Sequence, residues 1–99
     1  FVIFMYYAVI FTSTRTEVEA GYAETAIKML ELAKVQPGFM GVESARNEIG
    51  ITVSYWESLE AIQKWKTNME HLQAQENGRT TWYKNYKVRI AKVEREYEF

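Results

Sequence analysis

The chain opens on an unbroken apolar run, Phe1 to Phe11, in which every residue but Met5 and Ala8 is β-branched or aromatic. That make-up favours a strand over a helix. A membrane span takes about 20 apolar residues, so the run is too short to cross a bilayer. A strand apolar on both faces needs cover on both. Next, Tyr22, Ala26, Met29, Leu30 and Ala33 recur at helical spacing with Glu24, Lys28 and Glu31 opposite, and Thr16 with Glu19 has capping-box spacing. The pattern predicts a helix from about Val18 to Lys34, broken by Pro37-Gly38. Phe39 to Arg46 reads as a second strand, and Asn47 to Gly50 as a turn with Gly50 suited to a positive φ. Ile51 to Trp56 alternates, with Ile51, Val53 and Tyr55 on one face and Thr52, Ser54 and Trp56 on the other, so these two strands are placed to pair as a hairpin. Ser58 is a natural N-cap for a helix from about Leu59 to Gln75, whose apolar face is Ala61, Ile62, Trp65, Met69 and Leu72. Asn77-Gly78 ends it, Gly78 being able to take a left-handed cap. Arg79 to Asn85 has no clear period, and Tyr86 to Tyr97 alternates as a final long strand.

The resulting order is β-α-β-β-α-β within a single domain of residues 1–99, the split βαβ or ferredoxin-like α+β arrangement. Four antiparallel strands then carry two helices on one face and leave the other face bare. Because the first strand is apolar on both sides, the simplest cover is the same face of a second copy, which makes a homodimer of two packed sheets, a dimeric α+β barrel.

Composition narrows the function classes. Of 99 residues 47% are hydrophobic and 25% charged, which suits a globular domain and excludes a disordered or collagen-like chain. Aromatics reach 15%. A domain this small buries only about 60–70% of its unfolded surface, so part of that aromatic area is expected in a ligand pocket or a subunit interface. Twelve Lys and Arg face thirteen acids, all Glu, for a net charge of −1, which is far from the basic balance of a polyanion binder. Cys and Asp are missing and His71 is the only histidine, so a thiolate site, a Cys nucleophile and a Ser-His-Asp set are excluded and no metal is expected. No phosphate loop or dinucleotide fingerprint is present. Arg79, Lys84, Lys87, Arg89 and Lys92 interleave with Trp82, Tyr83 and Tyr86, and Gly38 to Val42 echoes an RNA-recognition motif. The basic lead-in and the later aromatic of that motif are lacking, so the segment reads as a solvated basic edge and no nucleic-acid partner is expected. The opening run has neither a basic lead-in nor a small-residue cleavage site, which points to a cytoplasmic protein with no membrane partner.

Four stretches stand together along the chain: YYAVIFTS (Tyr6 to Ser13), QPGFMGVES (Gln36 to Ser44), ITVSYWESLEAIQKWK (Ile51 to Lys66) and WYKNYKVRIAKVER (Trp82 to Arg95). They include Pro37-Gly38-Phe39 with Gly41 after the first helix, Trp56-Glu57-Ser58 opening the second, and Trp65 within it. In this combination the chain resembles the antibiotic biosynthesis monooxygenase family of dimeric α+β barrels, over nearly its whole length. The resemblance implies a small oxygenase that needs no metal or flavin and acts on an aromatic or quinol-like molecule. The family also holds haem-degrading oxygenases and members of unknown role, so haem as a ligand and a non-catalytic dimeric ligand-binding module stay open beside it.

By that resemblance Trp65 matches the helix-two Trp that lines the pocket; by spacing alone it is a core residue of the stripe Ile62-Trp65-Met69-Leu72, and both roles can coexist. His71 is a candidate general base or haem ligand. It follows Trp65 by six residues, about 600° round a helix and so on another face, where an exposed and uninvolved His is the plainer reading. The haem-degrading branch carries its His farther along, near Gln75 here, and an Asn in strand one, whereas this chain has no Asn before Asn47. Both departures count against haem degradation. Asn68, Arg79, Tyr83 and Tyr86 could supply polar groups to a pocket. The expected catalytic set is Trp65, Asn68 and His71, with no metal-binding or cofactor-binding residue.

Overall fold

The computed structural model describes residues 5–76 and 82–99. The elements are β1 (Tyr6–Arg15), α1 (Tyr22–Lys34), β2 (Phe39–Arg46), β3 (Gly50–Trp56), α2 (Leu59–Glu76) and β4 (Tyr83–Val93). The strands form one sheet in the order β2-β3-β1-β4, all neighbours antiparallel, which is the ferredoxin-like α+β fold.

Strand ends differ from the sequence pattern because pairing sets them, not hydropathy. β1 continues past Phe11 through Thr12, Ser13 and Thr14 to Arg15, since each of these pairs with β4. The expected start at Phe1 falls outside the described residues. β4 runs from Tyr83 to Val93 and not from Tyr86 to Tyr97, because it can extend only where β1 stands opposite: Tyr6 pairs with Val93 and Arg15 with Tyr83. A shift in register between Thr14 and Arg15 accommodates the change. Gly50 is the first residue of β3, and its φ is not positive, contrary to the turn expectation.

The first helix also starts later than its spacing predicts. Thr16 and Glu19 form no capping box: the Thr16 N–H donates to the Trp82 carbonyl at 2.9 Å and its hydroxyl accepts the Val18 N–H at 3.2 Å. Gly21, at φ 79°, takes the N-cap with no side-chain bond. The face α1 buries is turned accordingly. Thr25 and Ala33 are buried and Tyr22, Met29 and Leu32 half-buried, whereas Ala26 and Leu30 are exposed. α2 starts as expected, with Ser58 Oγ accepting the Ala61 N–H at 3.1 Å; the cap expected at Gly78 lies outside the described residues.

The core is a small cluster of Ala33, Trp56, Ala61 and Ile62, with Tyr7, Val9, Phe39 and Trp65 packed against it. Gly38 lets the chain enter the sheet there. It sits at φ +87°, and a Cβ on it would lie 2.7 Å from the Ala61 Cβ, so the α1–β2 turn and the start of α2 can touch only with glycine at this point. The Glu57 N–H donates to the Gly38 carbonyl at 2.8 Å and ties the two together.

Residues facing each other across antiparallel strands share a face. The register therefore puts Tyr7, Val9, Phe11 and Ser13 with Trp56, Ser54, Thr52 and Gly50 on the core side, and Ala8, Ile10 and Thr12 with Tyr55, Val53 and Ile51 on the other. That second face has no helix on it. Ile51 there is 45% exposed, and a groove of about 380 Å³ at the β1–β4 end is lined from this face by Thr12, Thr14, Lys87 and Arg89 and also by Ser13 and Tyr86 of the core side.

Candidate functional site

The helix-facing side of the sheet carries most of its aromatic residues, and β4 leaves part of it open. Tyr86, Val88 and Ile90 pair with Ser13, Phe11 and Val9 and so lie on this side, yet they are 41%, 47% and 52% exposed. An apolar row of the sheet thus stands beside the helices without being covered by them.

At one end of this side stand Trp56 and Trp65. The Trp56 ring is fully buried and its Nε1–H donates to Ser54 Oγ at 2.9 Å. Trp65 comes down from α2, half-buried, and meets Trp56 edge-on with ring centroids 6.0 Å apart. Its Nε1–H is buried with no partner among the described residues. A buried donor without an acceptor costs about 1–3 kcal/mol, so this indole N–H is an unsatisfied donor in the aromatic cluster.

At the other end, Phe11 stacks on Tyr86 with centroids 5.5 Å apart and an interplanar angle of 25°, and Tyr83 meets both rings edge-on. Tyr22, at the start of α1, packs edge-on against Trp82 and Tyr83. The Trp82 Nε1–H donates to the Ala20 carbonyl at 2.8 Å, which fixes the entry to α1 against the entry to β4. Burial, and then the hydrogen bond with Tyr22, hold the Tyr83 hydroxyl well above the usual phenol range, while Arg46 and Arg15 pull the other way. Tyr83 is therefore a neutral hydrogen-bonding group at physiological pH, not a base. Beneath these rings a cavity of about 20 Å³, lined by Tyr22, Thr25, Met29, Trp82 and Tyr83 among others, has room for a water molecule but not for a substrate. Thr25 Oγ1 is buried without a partner.

Two cations frame this end. The Arg15 guanidinium lies 3.4 Å from the centre of the Tyr22 ring and donates from Nη2 to the Val18 carbonyl at 2.8 Å. Arg46 reaches over from β2 and donates from Nη2 to Ser13 Oγ.

The expected catalytic residues are spread along α2. Trp65 lines the helix-facing side. The Asn68 amide is exposed and donates from Nδ2 to Gln36 Oε1 at 3.1 Å, bridging α2 to the segment after α1. His71 is exposed. Of the further polar candidates, Tyr83 and Tyr86 join the aromatic cluster, and Arg79 lies outside the described residues. Among the described residues no group of three or more His, Cys, Asp or Glu is placed to hold a metal. Sequence reasoning missed Ser13, Arg15 and Arg46. Arg46 and Ser13 are 33 residues apart, and nothing in their spacing announces the contact.

A family model described as antibiotic biosynthesis monooxygenase matches residues 5–77. The uncharacterized protein YqjZ of Bacillus subtilis strain 168 is 55% identical over 93 residues, covering 92% of this chain and 82% of that one. SnoaB, a cofactor-independent oxygenase from Streptomyces nogalater, superposes with a TM-score of 0.74 over 92% of this chain and 95% of its own, at 12% identity. Rv0793 from Mycobacterium tuberculosis does so with a TM-score of 0.69 over 94% and 97%, at 11% identity. At such identities the structural likenesses speak for the fold.

Proposed function

Because the chain belongs to the antibiotic biosynthesis monooxygenase family, we propose that it is a small oxygenase that acts on an aromatic or quinol-like molecule without a metal or flavin. The observation that carries this is the half-open aromatic row on the helix-facing side, with the unpartnered Trp65 indole N–H at one end and the Tyr22–Tyr83 pair at the other. SnoaB, whose fold this chain shares, is a cofactor-independent oxygenase, which supports the same chemistry here.

Oxygenation without a cofactor needs a substrate acidic enough to lose a proton and electron-rich enough, as its anion, to reduce O₂. For an activated ring methylene the balance is simple: the carbon becomes a carbonyl with one oxygen atom, and the other leaves as water with the two hydrogens. The protein has to hold the ring, keep water away and offer donors to developing negative charge. Phe11, Tyr86, Val88 and Ile90 supply the apolar bed. The Trp65 indole and the neutral Tyr83 phenol supply donors.

The same reading takes the open sheet face as a dimer interface. Glu43 lies near its β2 edge and Lys87 and Arg89 near its β4 edge. A two-fold axis between two sheets, parallel to the strands, lays the acidic edge of one copy over the basic edge of the other. Among the described residues no helix is long and apolar enough to cross a membrane.

The test is an oxygen-electrode assay of purified protein across anthrones and naphthoquinols, with a chelator present. Substrate-dependent uptake well above autoxidation is expected. Trp65→Phe, which keeps the ring but removes the N–H, should lower the rate by about tenfold, in line with loss of a transition-state hydrogen bond. Uptake no faster than autoxidation across the panel overturns the proposal.

A further inference from the structure

The two arginines at the Tyr22–Tyr83 end have no acid among the described residues to neutralise them. Among the described residues neither Arg15 nor Arg46 lies within ion-pair distance of a carboxylate. Arg15 Nε is buried without a hydrogen-bond partner among the described residues, where the Arg46 guanidinium has only the Ser13 hydroxyl. Both cations lie close enough to Tyr83 to act on its hydroxyl electrostatically. Ser13 itself is 2% exposed while Arg46 is exposed, so the contact joins a buried hydroxyl to a guanidinium that solvent and a ligand can reach.

The strand register shows that the arrangement is built. Arg46, Gly50 and Ser13 stand side by side on β2, β3 and β1. For Arg46 to reach Ser13 its side chain must cross the middle strand. It can do so only because residue 50 has no side chain: a Cβ there would run into the Arg46 guanidinium. Gly50 is buried beneath it.

Resting on the proposed function for the helix-facing side, we infer that this end is a carboxylate subsite, and that the ligand is an aromatic acid. Its carboxylate would lie between Arg15 and Arg46, within reach of the Ser13 and Tyr83 hydroxyls, and its ring along Phe11 and Tyr86. A planar, delocalised anion suits the guanidinium forks, and charge-assisted bonds of this kind are roughly twice as strong as neutral ones. A neutral quinol would leave both cations without a counter-ion.

The test compares 2-naphthoate with its neutral isostere naphthalene-2-carboxamide, by quenching of the intrinsic tryptophan fluorescence. Naphthoate is expected to bind about tenfold or more tightly, the scale of one charge-assisted hydrogen bond. Arg46→Gln should erase that preference while amide binding stays as it was. Gly50→Ala should do the same without removing any charge, because its methyl displaces only the flexible end of Arg46. Circular dichroism establishes that both variants fold, and Lys64→Gln, on the exposed side of α2, serves as a charge control with the preference intact. Equal affinity for acid and amide, no saturable naphthoate binding up to millimolar concentration, or a preference that survives both variants overturns the inference. Arginine-dependent naphthoate binding with no oxygen uptake from any substrate leaves the subsite standing and removes the oxygenase. Oxygen uptake from neutral quinols without any preference for acids does the reverse.

Discussion

Tyr55 shows how one side chain on the open face is held by its neighbour. Its hydroxyl donates to Glu43 Oε1 at 2.6 Å, and this bond, ahead of burial, pushes its pKa up to about 12 from an ordinary 10.0. The neutral phenol is the favoured form because ionisation would set a phenolate against a carboxylate. A group whose folded pKa is raised adds stability that is complete below its unfolded value and fades as pH climbs to the folded one. The contribution is therefore full below about pH 10 and gone above about pH 12. An ultraviolet titration should find more than one late-ionising tyrosine, Tyr55 and Tyr83 among them, and Glu43→Gln should bring Tyr55 alone of these two back toward the ordinary value; an unchanged titration would remove Glu43 as the cause. At this scale the residues of the proposed site are only partly legible in the sequence. Trp65 was named from its place on the helix stripe and from resemblance. Arg46 and Ser13 were not, because a contact across three strands has no signature in linear spacing.

The junctions at either end of the helices decide how the elements meet. Ser58 accepts the Ala61 N–H, one of the donors a helix start leaves without a partner. Ser58→Ala should cost about 1 kcal/mol and lower the melting temperature by about 4–8 °C, as read by calorimetry. Gly38→Ala should be worse. It imposes a left-handed backbone on a residue with a Cβ, which costs about 1–2 kcal/mol, and drives that Cβ into Ala61 as well. A melting temperature that falls less for Gly38→Ala than for Ser58→Ala would show that the turn relaxes easily. α1 carries the converse lesson. The Thr16–Glu19 spacing resembles a cap, but the Thr16 backbone is engaged by Trp82, the residue before β4, and Gly21 takes the N-cap. A local motif yields when a partner distant in sequence claims one of its groups.

For the whole molecule the open sheet face is the surface that the proposed second copy covers. Val53 and Ile10 pair with each other at its centre, flanked by Tyr6 and Tyr55, whose rings meet edge-on 5.9 Å apart. If a second copy covers this face, sedimentation should give twice the chain mass, and Val53→Asp should give the monomer, since an unpaired charge in an apolar interface costs several kcal/mol. A wild-type monomer at micromolar concentration would leave that face to another partner. The helix-facing subsite and the open face lie on opposite sides of the sheet, so the naphthoate and sedimentation experiments report on separate surfaces.

The order of elements followed from the sequence because hydropathy period, caps and turn residues are local, and each is readable within a few positions. β2 and the start of α2 stand at the positions the pattern predicts, and β3 begins one residue earlier, at Gly50. Strand ends, the buried face of α1 and the role of Gly50 belonged to the tertiary structure. β1 sets how far β4 can pair, Trp82 sets where α1 begins, and the missing side chain at Gly50 matters only because Arg46 must pass over it. Each of these depends on residues brought together from distant parts of the chain, and that distance is closed only by folding.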